Sequence, residues 1–132
     1  MHTTLGMVAI VEDDVAMRRS IERLLRASGY DTTAFASAED FLESAIVDRA
    51  MGLVLDIHLG GMSGIELRRR LAAVNSPLPV VFITAYDDEV TRREAIAAGC
   101  VDYLRKPFDA NRLTEALERG RKAGAGTTDS TP

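Results

Sequence analysis

Gly52-Leu53-Val54-Leu55-Asp56-Ile57-His58-Leu59-Gly60-Gly61 decides the fold. A short apolar run with no alternating polar residue reads as a strand buried on both faces. It ends in one carboxylate, Asp56, and a loop with two adjacent glycines follows. Ligands of open α/β sheets bind at the carboxyl ends of the strands. Asp56 therefore marks the edge where reactive groups should gather.

Working outward, Met7–Val11 is a second apolar run, stopped by Glu12-Asp13-Asp14. Asp14 suits the N-cap of a helix over about 15–27, with Met17, Ile21, Leu24 and Leu25 at helical spacing and Gly29 as terminator. Residues 30–35 alternate weakly and predict a more exposed strand. Ser37-Ala38-Glu39-Asp40 opens a helix whose Phe41 and Leu42 face inward. After the glycine loop, Ser63 and Glu66 have capping-box spacing. Pro77 and Pro79 end that helix, and Val80–Thr84 is the fourth strand. Asp87 and Asp88 lead a helix that ends at Gly99. Residues 101–104 form a short fifth strand before Arg105-Lys106-Pro107, and Asp109 can cap the last helix.

Strand and helix alternate about five times. This predicts a doubly wound, five-stranded parallel sheet of order 2-1-3-4-5, a flavodoxin-like α/β fold. The 132 residues suit one domain. Residues 1–6 read as an N-terminal extension and 7–121 as the domain. Residues 122–132, small and polar, read as a disordered tail or linker. The hydrophobic share of 46% and charged share of 27% are those of a globular protein. A net charge of −4 argues against broad nucleic-acid binding. The single Cys100 has no disulfide partner, and neither a leader nor a membrane span is evident, so a cytoplasmic location is expected.

Parallel strands point their carboxyl ends one way. The first delivers Glu12 and Asp13, the third Asp56, the fourth Thr84 and the fifth Lys106. Three clustered carboxylates repel and raise one another's pKa. A hard divalent ion, Mg2+ above all and Mn2+ as the alternative, relieves this with oxygen ligands. A lysine beside such a site neutralises a phosphoryl group as a point charge. The chemistry suggested is phosphoryl transfer onto Asp56.

Val11-Glu12-Asp13-Asp14, Leu55-Asp56, Ile83-Thr84-Ala85 and Tyr103-Leu104-Arg105-Lys106-Pro107-Phe108, in this order, resemble the receiver domain of bacterial two-component response regulators, the CheY-like superfamily. Ser37–Leu42 and Ala97–Tyr103 are most similar to the FixJ-type subgroup. The resemblance implies a set of roles. Asp56 takes a phosphoryl group from a sensor histidine kinase or phosphotransfer protein. Glu12, Asp13, Asp56 and the backbone carbonyl of His58 hold Mg2+. Thr84 and Lys106 meet the phosphoryl oxygens, and the bond to Pro107 is cis. Tyr103 swings inward behind Thr84 and remodels the face made by the fourth helix, fifth strand and fifth helix. A shift from mostly inactive to mostly active needs roughly 3–5 kcal/mol of differential interaction.

Other readings stand beside these roles. Glu12 and Asp13 can also complement a helix dipole, and Tyr103 can be a fixed packing residue. The side chains of His58 and Tyr86 are candidates for tuning phosphoaspartate hydrolysis. Arg68-Arg69-Arg70 reads as a solvated helix face. Gly60 stands where many receivers carry proline, so the loop is expected to be more flexible. A flavin-binding function on this topology is excluded, because it needs a hydroxyl- and glycine-rich phosphate loop after the first strand and Glu12-Asp13-Asp14 would repel a phosphate. A hydrolase with an aspartyl nucleophile would carry a second aspartate where His58 stands. The remaining alternatives are a stand-alone receiver, a receiver piece of a regulator whose output domain is absent, and a phosphorylation-independent module. The implied partners are the kinase, a downstream protein or output domain, and a second copy on phosphorylation. Neither nucleic acid nor a membrane is an expected partner of this chain.

Overall fold

Parity along the strands builds two layers of core. Ala9 and Val11, Leu53 and Leu55, and Val80 and Phe82 point to one face. Val8 and Ile10, Val54, Val81 and Ile83, and Leu104 point to the other. All these side chains are buried, so the sheet needs a helical layer on each side. The computed structural model describes residues 3–129, with side chains for 3–124. It has β1 (Met7–Val11), α1 (Val15–Ala27), β2 (Asp31–Phe35), α2 (Ala38–Glu43), β3 (Gly52–Asp56), α3 (Gly64–Ala73), β4 (Val80–Thr84), α4 (Glu89–Ala98), β5 (Asp102–Arg105) and α5 (Ala110–Asp129).

The sheet order is β2-β1-β3-β4-β5, as the sequence predicts, and every neighbouring pair is parallel. Helices α2, α3 and α4 cover the first face through Phe41, Leu67, Leu71 and Ala95. Helices α1 and α5 cover the second through Ile21, Leu25, Leu113 and Leu117. The outer strand β2 is half-buried along its whole length, which explains its weak alternation in sequence.

The caps are the expected side chains. Asp14 Oδ1 accepts the N–H groups of Ala16 and Met17 at 2.9 and 3.2 Å. Ser37 and Ser63 accept from Asp40 and Glu66, and Asp88 accepts from Thr91. Each cap fixes where its helix starts and so fixes the loop before it.

Two features differ from the sequence reading. Ile46–Asp48 forms a short 3-10 turn between α2 and β3, too brief to carry a period. Helix α5 does not stop near residue 121 but continues to Asp129, across most of the expected disordered tail. Arg119, Arg121, Lys122 and Ala123 favour helix, and no proline interrupts them; Gly120 and Gly124 lower propensity without breaking the hydrogen-bond ladder. Residues 130–132, the end of that expected tail, lie outside the described residues. The N-terminal extension is tied to the domain at Leu5 and Gly6: Leu5 N–H donates to Gly29 O and Asp31 N–H to Gly6 O, both at 2.9 Å. Among the described residues no helix is long and apolar enough to cross a membrane.

Candidate functional site

Asp14 is spent on capping α1, which frees Glu12 and Asp13 to face the sheet edge. Glu12 continues the parity of Ile10, Asp56 that of Val54, and Lys106 that of Leu104. All three therefore rise over the α1/α5 side. Lys106 Nζ lies 2.6 Å from Glu12 Oε1 and 3.6 Å from Asp56 Oδ2. The pair is enclosed, with side-chain exposures of 12% for Lys106 and 1% for Glu12. Glu12, Asp13 and Asp56 each present a carboxylate oxygen, and these oxygens all lie within 4.8 Å of one another. Glu12 and Asp56 are buried, and Asp13 is exposed at the rim. The peptide bond from Lys106 to Pro107 is cis.

Backbone groups hold the acids in place. Glu12 Oε2 accepts the Asp14 N–H at 3.2 Å, and Asp56 Oδ1 accepts the His58 N–H at 3.2 Å. Asp13 Oδ2 accepts the Gly60 N–H at 3.3 Å. Burial, then the neighbouring Asp56, pushes the Glu12 carboxyl up to about 7, although Lys106 pulls it the other way. One lysine thus does not neutralise the cluster. An all-oxygen donor set with surplus negative charge suits a hard divalent cation.

The raised Glu12 sets a pH dependence. Its carboxyl titrates near 4.5 when unfolded and about 7 when folded. Folding therefore favours the protonated form. The associated stability is complete below pH 4.5 and is lost as pH rises through 7. In EDTA, the urea midpoint should be higher at pH 5.5 than at pH 8, and Glu12→Gln should flatten that difference. An unchanged slope in the variant would assign the dependence to another group.

Thr84 ends β4 and is fully buried. The structure turns its hydroxyl away from the acids: Oγ1 donates to Tyr86 O and accepts from Tyr86 N, each at 3.0 Å. Tyr103 shares the other face with Phe82, its register partner. Its Oη is buried without a hydrogen-bond partner. The Arg92 guanidinium sits 5.6 Å from its ring centroid. Burial, then the Asp87 charge, pushes its phenol up to about 12. His58 is exposed, and its ring meets that of Tyr86 edge-on at 5.3 Å.

Two contacts escaped the sequence. Arg18 Nη1 donates to Glu12 O at 2.8 Å, bracing the end of β1 from the first turns of α1. Glu39 Oε2 accepts the Met62 N–H at 2.9 Å, across from α2 to the β3–α3 loop. Each is one charged residue among many on a helix surface. Neither spacing nor composition distinguishes it.

Residues 8–118 match the response regulator receiver domain family. Nodulation protein W of Bradyrhizobium diazoefficiens is 40% identical over 124 residues, covering 91% of this chain and 55% of that protein. The transcriptional regulatory protein FixJ of the same organism is 39% identical over 117 residues, covering 88% and 57%. The chain thus spans little more than half the length of these relatives. Full-length FixJ from B. japonicum superposes with a TM-score of 0.86 at 36% identity, over 97% of this chain and 63% of that one. The structure titled FixJ-N superposes with 0.81 at 34% identity, over 91% and 96%. Family model, sequence relatives and solved structures agree on the same span, and the chain belongs to the response regulator receiver domain family, the receiver modules of two-component signalling systems.

Proposed function

We propose that Asp56 is the phosphoacceptor, charged by a phosphohistidine on a sensor kinase or phosphotransfer protein in the cytoplasm. A carboxylate oxygen of Asp56 forms the O–P bond as the donor's P–N bond breaks, and that electron pair returns to the imidazole. Water attack on phosphorus later restores the carboxylate and releases inorganic phosphate. The observation that carries this reading is Lys106 Nζ lying between Glu12 and Asp56 in an enclosed acidic cluster. A receiver is a signalling protein and not a turnover enzyme, so both steps are self-catalysed by this site.

Glu12, Asp13, Asp56 and the His58 backbone carbonyl would hold Mg2+, with Mn2+ as the alternative. When bound, the cation supplies charge stabilisation to the transferring oxygens. Lys106 holds one of those oxygens as a point charge. Thr84 must give up its bonds to Tyr86 to reach another, and the β4–α4 connection moves with it. Tyr103, behind Thr84, then repacks against the α4–β5–α5 face. Val90 and Ile96 of α4 are 66% and 61% exposed, which supports that face as the contact for an output domain, a downstream protein or a second phosphorylated copy. His58, two residues after Asp56, and Tyr86, whose ring it meets, would tune hydrolysis. Residues 7–121 make up this unit. The output carried by the longer relatives lies outside it.

The test is to incubate the chain with Mg2+ and a small acyl phosphate, then weigh it intact. A single phosphoryl adduct is expected on the parent and is absent from Asp56→Asn and from an EDTA control. The same samples in sedimentation read pairing. An adduct of equal yield on Asp56→Asn would overturn the assignment.

A further inference from the structure

The β3–α3 loop, residues 57–63, follows directly on Asp56 and carries Asp13's partner Gly60 in its middle. Gly60-Gly61 gives it the least conformational restraint of any dipeptide. Two carboxylates reach in from other elements to hold it. Asp13 Oδ2 takes the Gly60 N–H at 3.3 Å, and Glu39 Oε2 takes the Met62 N–H at 2.9 Å. They are not equivalent. Asp13 belongs to the acidic cluster, so a bound cation competes with Gly60 for its oxygens. Glu39 stands outside that cluster, so a cation held there does not compete for its oxygens. Its bond is also the shorter one.

We propose that Glu39 is a positioning residue of the phosphoacceptor site: from the first turn of α2 it fixes the β3–α3 loop in the shape that cation binding at Asp13 and Asp56 requires. The inference rests on the phosphoacceptor reading above. Gly61 is the other half of the device. Its φ is +74°, and a Cβ there would fall 2.6 Å from Glu39 Oε2. A glycine is what lets the carboxylate come so close. The Met62 N–H, as the first cause, holds the Glu39 carboxyl below its ordinary range, so it is ionised when the site works. Glu39 is exposed and packs no core, which separates its effect on the loop from an effect on the fold.

The test compares Glu39→Ala and Glu39→Gln with the parent, and uses Asp40→Ala as control. Asp40 is exposed on the same turn, so its loss removes the same charge from α2 without touching the loop. Two readouts are taken: hydrogen exchange at the Met62 amide and Mg2+ affinity by calorimetry. Glu39→Ala should speed Met62 exchange roughly tenfold, the worth of one hydrogen bond to a charged group. It should also weaken Mg2+ binding severalfold. Glu39→Gln, which keeps an acceptor oxygen, should recover most of both, and Asp40→Ala should match the parent. If the parent binds Mg2+ and Glu39→Ala binds it equally well, the inference fails while the phosphoacceptor reading stands. If Asp40→Ala weakens binding as much as Glu39→Ala, the effect is helix charge and the inference fails too. If the parent itself binds no Mg2+, the phosphoacceptor reading falls and takes the inference with it.

Discussion

Replacing Lys106 by methionine should cost the metal-free protein about 3 kcal/mol at pH 8, the low end for breaking a buried ion pair. The methionine keeps most of the aliphatic stem's packing, so the loss reports the ammonium. Glu12 and Asp56, with side chains 1% and 5% exposed, would face each other without a cation. Glu12 has one escape, which is to take up a proton. Its carboxyl already sits near 7 with Lys106 pulling it down, and losing the lysine moves it higher still, so the escape is open by neutrality and complete at pH 5.5. The cost should therefore shrink between pH 8 and pH 5.5, and millimolar Mg2+ should recover part of it at pH 8. Urea unfolding in EDTA at the two pH values, with and without Mg2+, measures all three effects. A loss of equal size at both pH values would mean that packing, not charge, is what Lys106 supplies.

Gly64→Ala should be at least as damaging. A Cβ at this position would lie 2.2 Å from the carbonyl oxygen of Asp56 and 3.0 Å from the Cα of Ile57. These are backbone atoms and cannot swing aside. Either α3 starts elsewhere or the end of β3 moves, and both unseat Asp56. A loss of about 3 kcal/mol is expected, at the top of the usual range for overpacking. The yield of phosphoryl adduct should fall with it. Gly60→Ala is the matched control, because a Cβ there meets nothing within 4 Å. Unfolding and adduct yield on the two variants side by side decide the matter. Parent-like behaviour of Gly64→Ala would show that the α3 start is softer than its contacts imply.

The inner strands β1, β3 and β4 were legible because each is an apolar run with its own boundary signal, Glu12 after β1 and Asn75–Pro79 before β4. The helix starts were legible because a cap is a local event: Asp14 and Ser63 bond N–H groups two or three residues away. The gathering of Glu12, Asp13, Asp56 and Lys106 follows from parallel strands alone. Strand parity carries one thing more, which residue types do not show. It places Glu12, Asp56 and Lys106 over one face of the sheet and Thr84 with Tyr103 over the other. Hidden from the sequence were the side chains that reach between elements. Arg18 touching Glu12 O and Glu39 touching Met62 N–H depend on rotamers and loop paths that no period encodes. The orientation of the Thr84 hydroxyl is hidden for the same reason, since Asp56 and Tyr86 are equally near in sequence logic. The run of α5 past residue 121 is a matter of weak propensities with no breaker, which small polar composition disguised.

Helix α4 buries a single alanine, Ala95, whereas α1 buries Ile21 and Leu25 and α3 buries Ile65, Leu67 and Leu71. Its hold on the sheet is correspondingly slight. Elements with few buried apolar contacts open first and at the lowest free energy. The face proposed above to carry the signal is thus built on the helix with the fewest buried side chains of the three compared. A helix whose one fully buried side chain ends in a methyl group can be displaced at little cost in buried apolar area, so a perturbation the size of a few contacts has leverage over it.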